Sequence, residues 1–374
     1  MLWSSRVVPL VVAIALASCS VMDGSVADDD RGVAPAAITR DPMVNGATTA
    51  PLAEMRLDLV ANVEEPVDAA SRAGDEAVFL VSRAGRILRL VDDVVSRTPV
   101  LDISDLTEGR GEQGLLGLAF STDGTTAFVN FTDRAGDTVV ASVPVDSTGT
   151  FDRGSMRVLV VVDQPFANHN GGDVVVEESG TILVATGDGG SADDPRRVAL
   201  DESSPLGKVL RIDPSSGSVT MVAKGLRNPW RIDLHDDRLW LADVGQNVWE
   251  EVSVLDRVST VTEPVNFGWS AWEGNQRFNQ DQPPGAHVPP VVVYRHGDDG
   301  CSISGGAVAT SGSLAGEYVF ADHCSGRVWS IATDEASPAM VRRFDGVDSP
   351  VAVVRVHDDL YVLSLAGPVW RIIG

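Results

Sequence analysis

The feature that most restricts how this chain can fold is a recurring unit of apolar strand, tight turn and apolar strand. Its turns fall at Gly74-Asp75, Asp123-Gly124, Ser179-Gly180, Asp236-Asp237, Ala315-Gly316 and Asp358-Asp359. Counted from the second residue of each pair, they are spaced by 49, 56, 57, 79 and 43 residues. Six units at this spacing predict an all-β chain, a six-bladed β-propeller with one long insertion. The runs at 77–81, 182–185, 239–242, 318–321 and 360–363 are almost continuously apolar. That pattern suits inner strands covered on both faces by neighbouring blades. The run at 369–373 is expected to pair with an N-terminal strand near 55–60, so that both chain ends shut the ring. Two stacked β domains would need a linker, and no linker-like stretch divides the chain after Ala50.

The first residues read as an address. Arg6 supplies a positive charge, and the apolar run at 7–17 has 11 residues, too few to span a bilayer. Leu16-Ala17-Ser18-Cys19 follows. It resembles the bacterial lipobox, whose cysteine is lipidated and becomes the new N-terminus; the plainer alternative is an ordinary signal peptide with a chance cysteine. Residues 20–50 contain no aromatic side chain and suit a flexible tether. The expected organisation is a lipoprotein signal peptide over 1–19 ending at Cys19, a tether over 20–50 and the propeller over 51–374. The protein would be exported and held at the cell envelope, touching membrane only through its lipid.

Acids outnumber bases 53 to 29, a net charge of −24. Such a balance repels nucleic-acid phosphates and suits a neutral substrate or a bound cation. The three cysteines are Cys19, Cys301 and Cys324. If Cys19 carries lipid, the other two are left in an oxidising setting where a disulfide is the natural pairing, against two buried free thiols.

Several stretches are too polar and glycine-rich for ordinary turns. They are Arg110-Gly111-Glu112-Gln113-Gly114, Asn168-His169-Asn170-Gly171-Gly172, Gly187-Asp188-Gly189-Gly190 and Gly225-Leu226-Arg227-Asn228-Pro229-Trp230. A fifth, Ala242-Asp243-Val244-Gly245-Gln246-Asn247, leads to the acid pair Glu250-Glu251. Loops of different blades converge at one end of a propeller channel, so a site scattered in sequence is what this fold would produce. Imidazole, with an unperturbed pKa of about 6.5, makes His169 a candidate general base; alone, it could equally be hydrogen-bonded in a turn. Arg227 is a permanent cation able to polarise an oxygen that gains negative charge. Its plainer roles are stacking on Trp230 or pairing with Asp233. Five of the eight tryptophans lie between 230 and 272, available to stack on flat ligands or to pack between blades. There is no HExxH, CxxC or EF-hand spacing, which argues against zinc.

Taken in order, these stretches resemble the soluble glucose/sorbosone dehydrogenases, six-bladed propellers that bind pyrroloquinoline quinone (PQQ). Asp243-Val244-Gly245-Gln246-Asn247 and Asn266-Phe267-Gly268-Trp269 most resemble the branch of aldose sugar dehydrogenases and hedgehog-interacting-protein-like proteins. The resemblance implies PQQ- and calcium-dependent oxidation of aldose sugars by hydride transfer to the quinone, with an electron acceptor it does not name. His169 would take the C1 hydroxyl proton, Asp188 would orient the imidazole, and Arg227 would meet the quinone. Glu112, Asn168, Arg227 and Asn228 would contact the cofactor, and main-chain carbonyls of Gly245 and Gln246 would bind Ca²⁺. That branch has a similar cysteine pair; a Cys301–Cys324 bridge would close a loop of 24 residues, about 3 kcal/mol in the loop-entropy account.

The chain departs from the family where lysine and arginine residues hold the cofactor carboxylates. Arg327, Arg295 and His296 are the nearest substitutes, and none sits in a matching motif. Ala199-Leu200 stands where the family has Ala-Gln, although Leu206-Gly207-Lys208 is retained. Two other functions remain open on the same architecture. One is a non-catalytic propeller that binds a protein or glycan; the other is a calcium-dependent lactonase, which needs acids converging on one metal-bound water.

Overall fold

Segments of Val, Ile, Leu, Ala and Phe that tolerate burial on both faces become the second strand of each blade. This is seen in Asp75–Ser82, Ile182–Thr186, Arg238–Asp243, Glu317–Asp322 and Asp359–Ser364, where nearly every side chain is buried. The structure is a computed structural model that describes residues 55–283 and 285–374. The expected signal peptide, Cys19, the expected tether and the start of the expected propeller segment lie outside the described residues.

Six antiparallel sheets make the six-bladed propeller. The innermost strands, in blade order, are Pro66–Arg72, Leu115–Phe120, Val174–Val176, Pro229–His235, Ile303–Val308 and Pro350–Val356. Neighbouring members pack against one another around the axis. The almost wholly apolar runs are therefore second from the axis, one place further out than the sequence pattern suggests. The innermost strands are more polar, carrying Asp68, Arg231 and Asp233 with Asp173 just ahead of Val174, because they face a channel as well as neighbours. All six turns of the sequence repeat join an innermost strand to a second strand.

The ring closes as expected. Arg56–Asn62 is the outer strand of the last blade and pairs antiparallel with Pro368–Ile373. The first and last of the described strands thus share one sheet, which removes an open blade face. The long insertion lies between the third and fourth strands of blade 4, Trp249–Asp256 and Val292–Arg295. It adds a parallel strand, Val265–Asn266, to blade 3 and a small hairpin at Trp272–Glu273 and Gln276–Arg277.

Five innermost strands begin with a register break. It passes over Val67, Leu116, Trp230, Ser304-Gly305 and Val351. A bulge leaves its extra residue outside the ladder and re-aims it. Here the breaks sit at the channel end opposite the six repeat turns. Gly305 shows how tight the bulge is, since a Cβ there would lie 2.2 Å from Arg231 Cβ.

Candidate active site

At the bulged end, loops that enter innermost strands or leave second strands enclose a cavity of about 400 Å³. Val67, Trp230, Ser304 and Val351, all set out of register by the bulges, belong to its lining. Trp230 Nε1 donates to the carbonyl of Val351 at 2.8 Å, tying two blades together across the floor. The walls carry Glu112, His169, Arg227, Asn228, Gly245 and Gln246, so motifs from three blades meet as the propeller requires.

His169 is 4% exposed and has a left-handed φ of 58°. The turn that carries it presses on Gly187, where a Cβ would lie 1.9 Å from the His169 carbonyl oxygen. Nδ1 of His169 is 2.6 Å from Oδ1 of Asp188. Asp188 is itself held by Trp269 Nε1 at 2.8 Å and by the Gly190 N–H at 3.0 Å. A carboxylate at Nδ1 keeps that nitrogen protonated and leaves Nε2 as the acceptor. Glu112 Oε2 accepts from the His169 N–H at 2.6 Å and from Asn228 Nδ2 at 2.9 Å. Asn228 Oδ1 in turn accepts from the Gly171 N–H at 3.1 Å. Glu112 and Asn228 therefore stitch the three motif loops to one another.

Arg227 takes neither of the plainer roles. Arg231 lies over Trp230, and Arg355 pairs with Asp233. Arg227 instead donates through Nε to Gln246 Oε1 at 3.1 Å and through Nη1 to the Val244 carbonyl at 2.8 Å, with its guanidinium 5.7 Å from the Trp269 ring centroid. The Arg227 and Asn228 N–H groups both donate to Asp243. Burial pushes the Asp243 carboxyl up to about 7, against the lowering effect of those two bonds and of the Arg227 charge.

The loop after Asp243 is organised by one acid. Glu273 Oε1 accepts from the N–H groups of Gln246, Asn247, Val248 and Trp249 at 3.0, 2.6, 2.7 and 3.3 Å. With these donors turned towards Glu273, the carbonyl oxygens of Gly245 and Gln246 accept no hydrogen bond among the described residues. Gly245 is obligatory, because a Cβ there would sit 1.5 Å from the Trp249 carbonyl oxygen. Burial, with Asp243, Glu250 and Glu273 nearby, raises Glu251 well above the usual carboxylate range. Glu250 faces inward, accepting from the Gly245 and Ile303 N–H groups and from His296. The acids thus shape the loop from behind, and no cluster of three or more His, Cys, Asp or Glu side chains suited to a metal occurs among the described residues.

Two expected contacts are placed elsewhere. Asn168 Oδ1 accepts from the Ser191 N–H at 3.1 Å and stays out of the cavity lining. Arg327 pairs with Asp299 and Asp345 on the outside of blade 5, also away from it. Arg295 is exposed. Of the three substitutes only His296 reaches the cavity, where Arg83 and His323 line the same side. Glu250 Oε1 lies 2.6 Å from His296 Nε2, and this bond raises the imidazole above its ordinary value. Arg83 is braced by Glu65 and by the Gly111 carbonyl. Lys208 donates to the carbonyls of Val198, Ala199 and Leu206, so its retained motif ties down a loop. Cys301 and Cys324 form the expected disulfide with Cα atoms 5.6 Å apart, and Cys301 lines the cavity. Of the missed residues, Val67 and Val351 share a signal with Trp230: each follows a proline that opens an innermost strand. Arg83 and His323 had none.

Fold and cavity together describe a β-propeller whose loops present a carboxylate-held imidazole beside fixed cations. Residues 63–321 match the glucose/sorbosone dehydrogenase family, and the chain belongs to it, which makes it at family level a relative of oxidoreductases. Among solved structures, the PQQ-bound aldose sugar dehydrogenase of Streptomyces coelicolor is 22% identical, with a TM-score of 0.69 over 86% of this chain and 99% of that one. The soluble aldose sugar dehydrogenase of Escherichia coli is 16% identical, with a TM-score of 0.69 over 86% and 99%. At these identities the likeness is one of fold. Among curated proteins, the HIPL1 protein of Arabidopsis thaliana is 28% identical over 223 residues, 47% of this chain and 31% of that protein. The match thus spans about a third of that relative's length.

Proposed function

We propose that this protein oxidises aldose sugars, or related alcohols, with PQQ and Ca²⁺. The observation that carries the reading is the His169–Asp188 pair at the wall of an open cavity, with Nε2 left to accept a proton. His169 takes the proton of the sugar C1 hydroxyl. Asp188 holds the tautomer and stabilises the imidazolium that results. When bound, PQQ supplies the acceptor for the C1 hydride. Arg227, fixed by Gln246 and Val244, presents positive charge to an oxygen that gains electron density.

The residues present suit both groups. Arg83, Arg227 and His296 give the cavity the cations that a polyanionic quinone needs, and the volume lies in the range of small-molecule sites. The carbonyls of Gly245 and Gln246, backed by buried acids, are hard oxygen donors of the kind Ca²⁺ prefers. We further propose export, a lipid on Cys19 and attachment to the cell envelope, with reduced cofactor passing electrons to a separate acceptor.

The test is a titration of PQQ into calcium-loaded protein followed by absorbance, then addition of single aldoses. Binding at micromolar concentrations and reduction by particular sugars are expected, and chelating calcium should release or silence the cofactor. No spectral change would move the reading to a propeller that binds a glycan or protein without catalysis. Intact mass of membrane-extracted protein tests the anchor: a diacylglyceryl group on Cys19 supports it, and an unmodified product starting elsewhere removes it.

A further inference from the structure

The long insertion of blade 4 adds nothing to the cavity lining, which contains no described residue between Gln246 and His296. Its hairpin, Trp272–Glu273 with Gln276–Arg277, stands behind the Gly245-Gln246 loop instead. Two contacts fix it there. The Gly274 N–H donates to Glu251, on the strand Trp249–Asp256 that leads out of the loop. A Cβ at Gly274 would lie 2.9 Å from Trp249 Cγ, so the hairpin tip is pressed against that side chain. Pinned in this way, Glu273 is 3% exposed and delivers one oxygen, Oε1, to the four successive N–H groups of Gln246 to Trp249. Successive N–H groups form a concavity that takes an anion. Here a carboxylate of the same chain fills it.

The effect on the other side of the loop follows from the peptide bond. In a planar trans peptide the N–H of one residue and the carbonyl of the residue before it point in opposite directions. The bond from the Gln246 N–H to Glu273, at 3.0 Å, therefore turns the Gly245 carbonyl away from the hairpin. The bond from the Asn247 N–H, at 2.6 Å, does the same for the Gln246 carbonyl. Both residues line the cavity. Neighbouring acids hold neighbouring peptides and cannot replace Glu273. Glu250 accepts from the Gly245 N–H at 3.2 Å, which aims the Val244 carbonyl, and that carbonyl is taken by Arg227 Nη1. Asp243 is occupied by the Arg227 and Asn228 N–H groups.

From this geometry we infer that Glu273, without touching the cation, is the positioning residue that sets the affinity of the Gly245 and Gln246 carbonyls for Ca²⁺. The inference rests on the proposed calcium reading and deepens it, because the metal site is then assembled by the insertion and not by its own loop alone. Without Glu273 the two peptide planes lose what holds them, and the carboxylate behind the carbonyls is lost with it.

The experiment uses the full chain freed of calcium and three variants. Glu273→Gln keeps the shape and removes the charge, Glu273→Ala removes the acceptor, and Asp281→Asn removes an exposed acid of the same insertion that pairs with Arg197. Calcium is titrated by calorimetry with and without PQQ, well below the melting temperature of each calcium-free protein, and Kd values are compared in whichever condition saturates the wild type. Loss of a group that orients metal ligands lowers affinity by about 10–100-fold; Glu273→Gln should fall near the lower figure and Glu273→Ala near the upper, with Asp281→Asn unchanged. Hydrogen exchange of the calcium-free proteins reads the brace directly: the amides of 246–249 should be slow in the wild type and fast in Glu273→Ala. Equal Kd values for Glu273→Ala and the wild type, an equal loss in Asp281→Asn, or fast exchange of these amides in the wild type would overturn the inference. A wild type that takes up no Ca²⁺ in either condition would overturn it together with the calcium part of the proposed function. Calcium binding in the expected order with no sugar oxidised would sink the dehydrogenase alone.

Discussion

At the cavity end of the channel, buried carboxylates hold other groups in place while His169 and Arg227 face open space. A little further along the same innermost strands, Asp68, Asp173 and Asp233 share a narrower space with Arg231 and Arg355. There Asp68 caps the Leu118 N–H at 2.9 Å, Asp173 caps that of Ile232 at 2.8 Å, and Asp233 caps that of Val308 at 2.8 Å. Each of these bonds crosses from one blade to another, so the inner charges serve the ring. Arg231 is 1% exposed and reaches the Val67 carbonyl and, at 3.5 Å, Asp173. The difference teaches that burial and charge do not by themselves mark a site. What separates the two layers is that the inner acids bond from blade to blade, while Nε2 of His169 is left without a partner at the wall of an open cavity.

The largest expected effect tests the outer layer. His169→Ala should lower turnover by about 10²–10⁴-fold while PQQ titrations remain nearly unchanged. A variant that lost quinone binding instead would make His169 part of the cradle, and the contrast with the inner charges would weaken. Arg231→Met tests the inner layer. It leaves Asp68 and Asp173 without their cation, and loss of one partner of a buried pair costs about 3–5 kcal/mol. Urea unfolding at pH 8 should show that loss, with PQQ affinity in the folded protein little altered.

The disulfide sharpens the comparison, since Cys301 lines the cavity yet its sulfur is bonded to Cys324. Replacing both cysteines by serine should cost about 3 kcal/mol on the loop-entropy account, read as an earlier urea midpoint with the aldoses unchanged in rank. The last effect is one of pH, read as a slope within a single protein. Burial and the neighbouring Asp173 push Asp68 up to about 7 from an ordinary 3.8, while Arg231 opposes them. Its folded-state value is raised, so its contribution is fully present below the unfolded value and is lost as pH rises through about 7. Stability should therefore fall across that window, by at most about 1.4 kcal/mol per pH unit for one group. Asp68→Asn should flatten the slope; an unchanged slope would assign it to other acids.

The sequence by itself determined the six-bladed ring, its closure by both chain ends, the pairing of Cys301 with Cys324 as the natural outcome, and the motifs around His169, Asp188, Arg227 and Gly245. These are local or repeated signals: a turn every fifty residues, a run of apolar side chains, a glycine where the backbone must come close. It misplaced Asn168 and Arg327, because whether a polar side chain turns to the cavity or to a neighbouring loop depends on which donor lies nearest, as the Ser191 N–H and the carboxylates of Asp299 and Asp345 do here. Only the tertiary structure decided that Arg83 and His323 line the cavity beside His296, the one substitute offered by the sequence that reaches it. Each stands at the end of a different strand without any motif, and they meet only because closing the ring brings the same edge of blades 1, 4 and 5 around one axis.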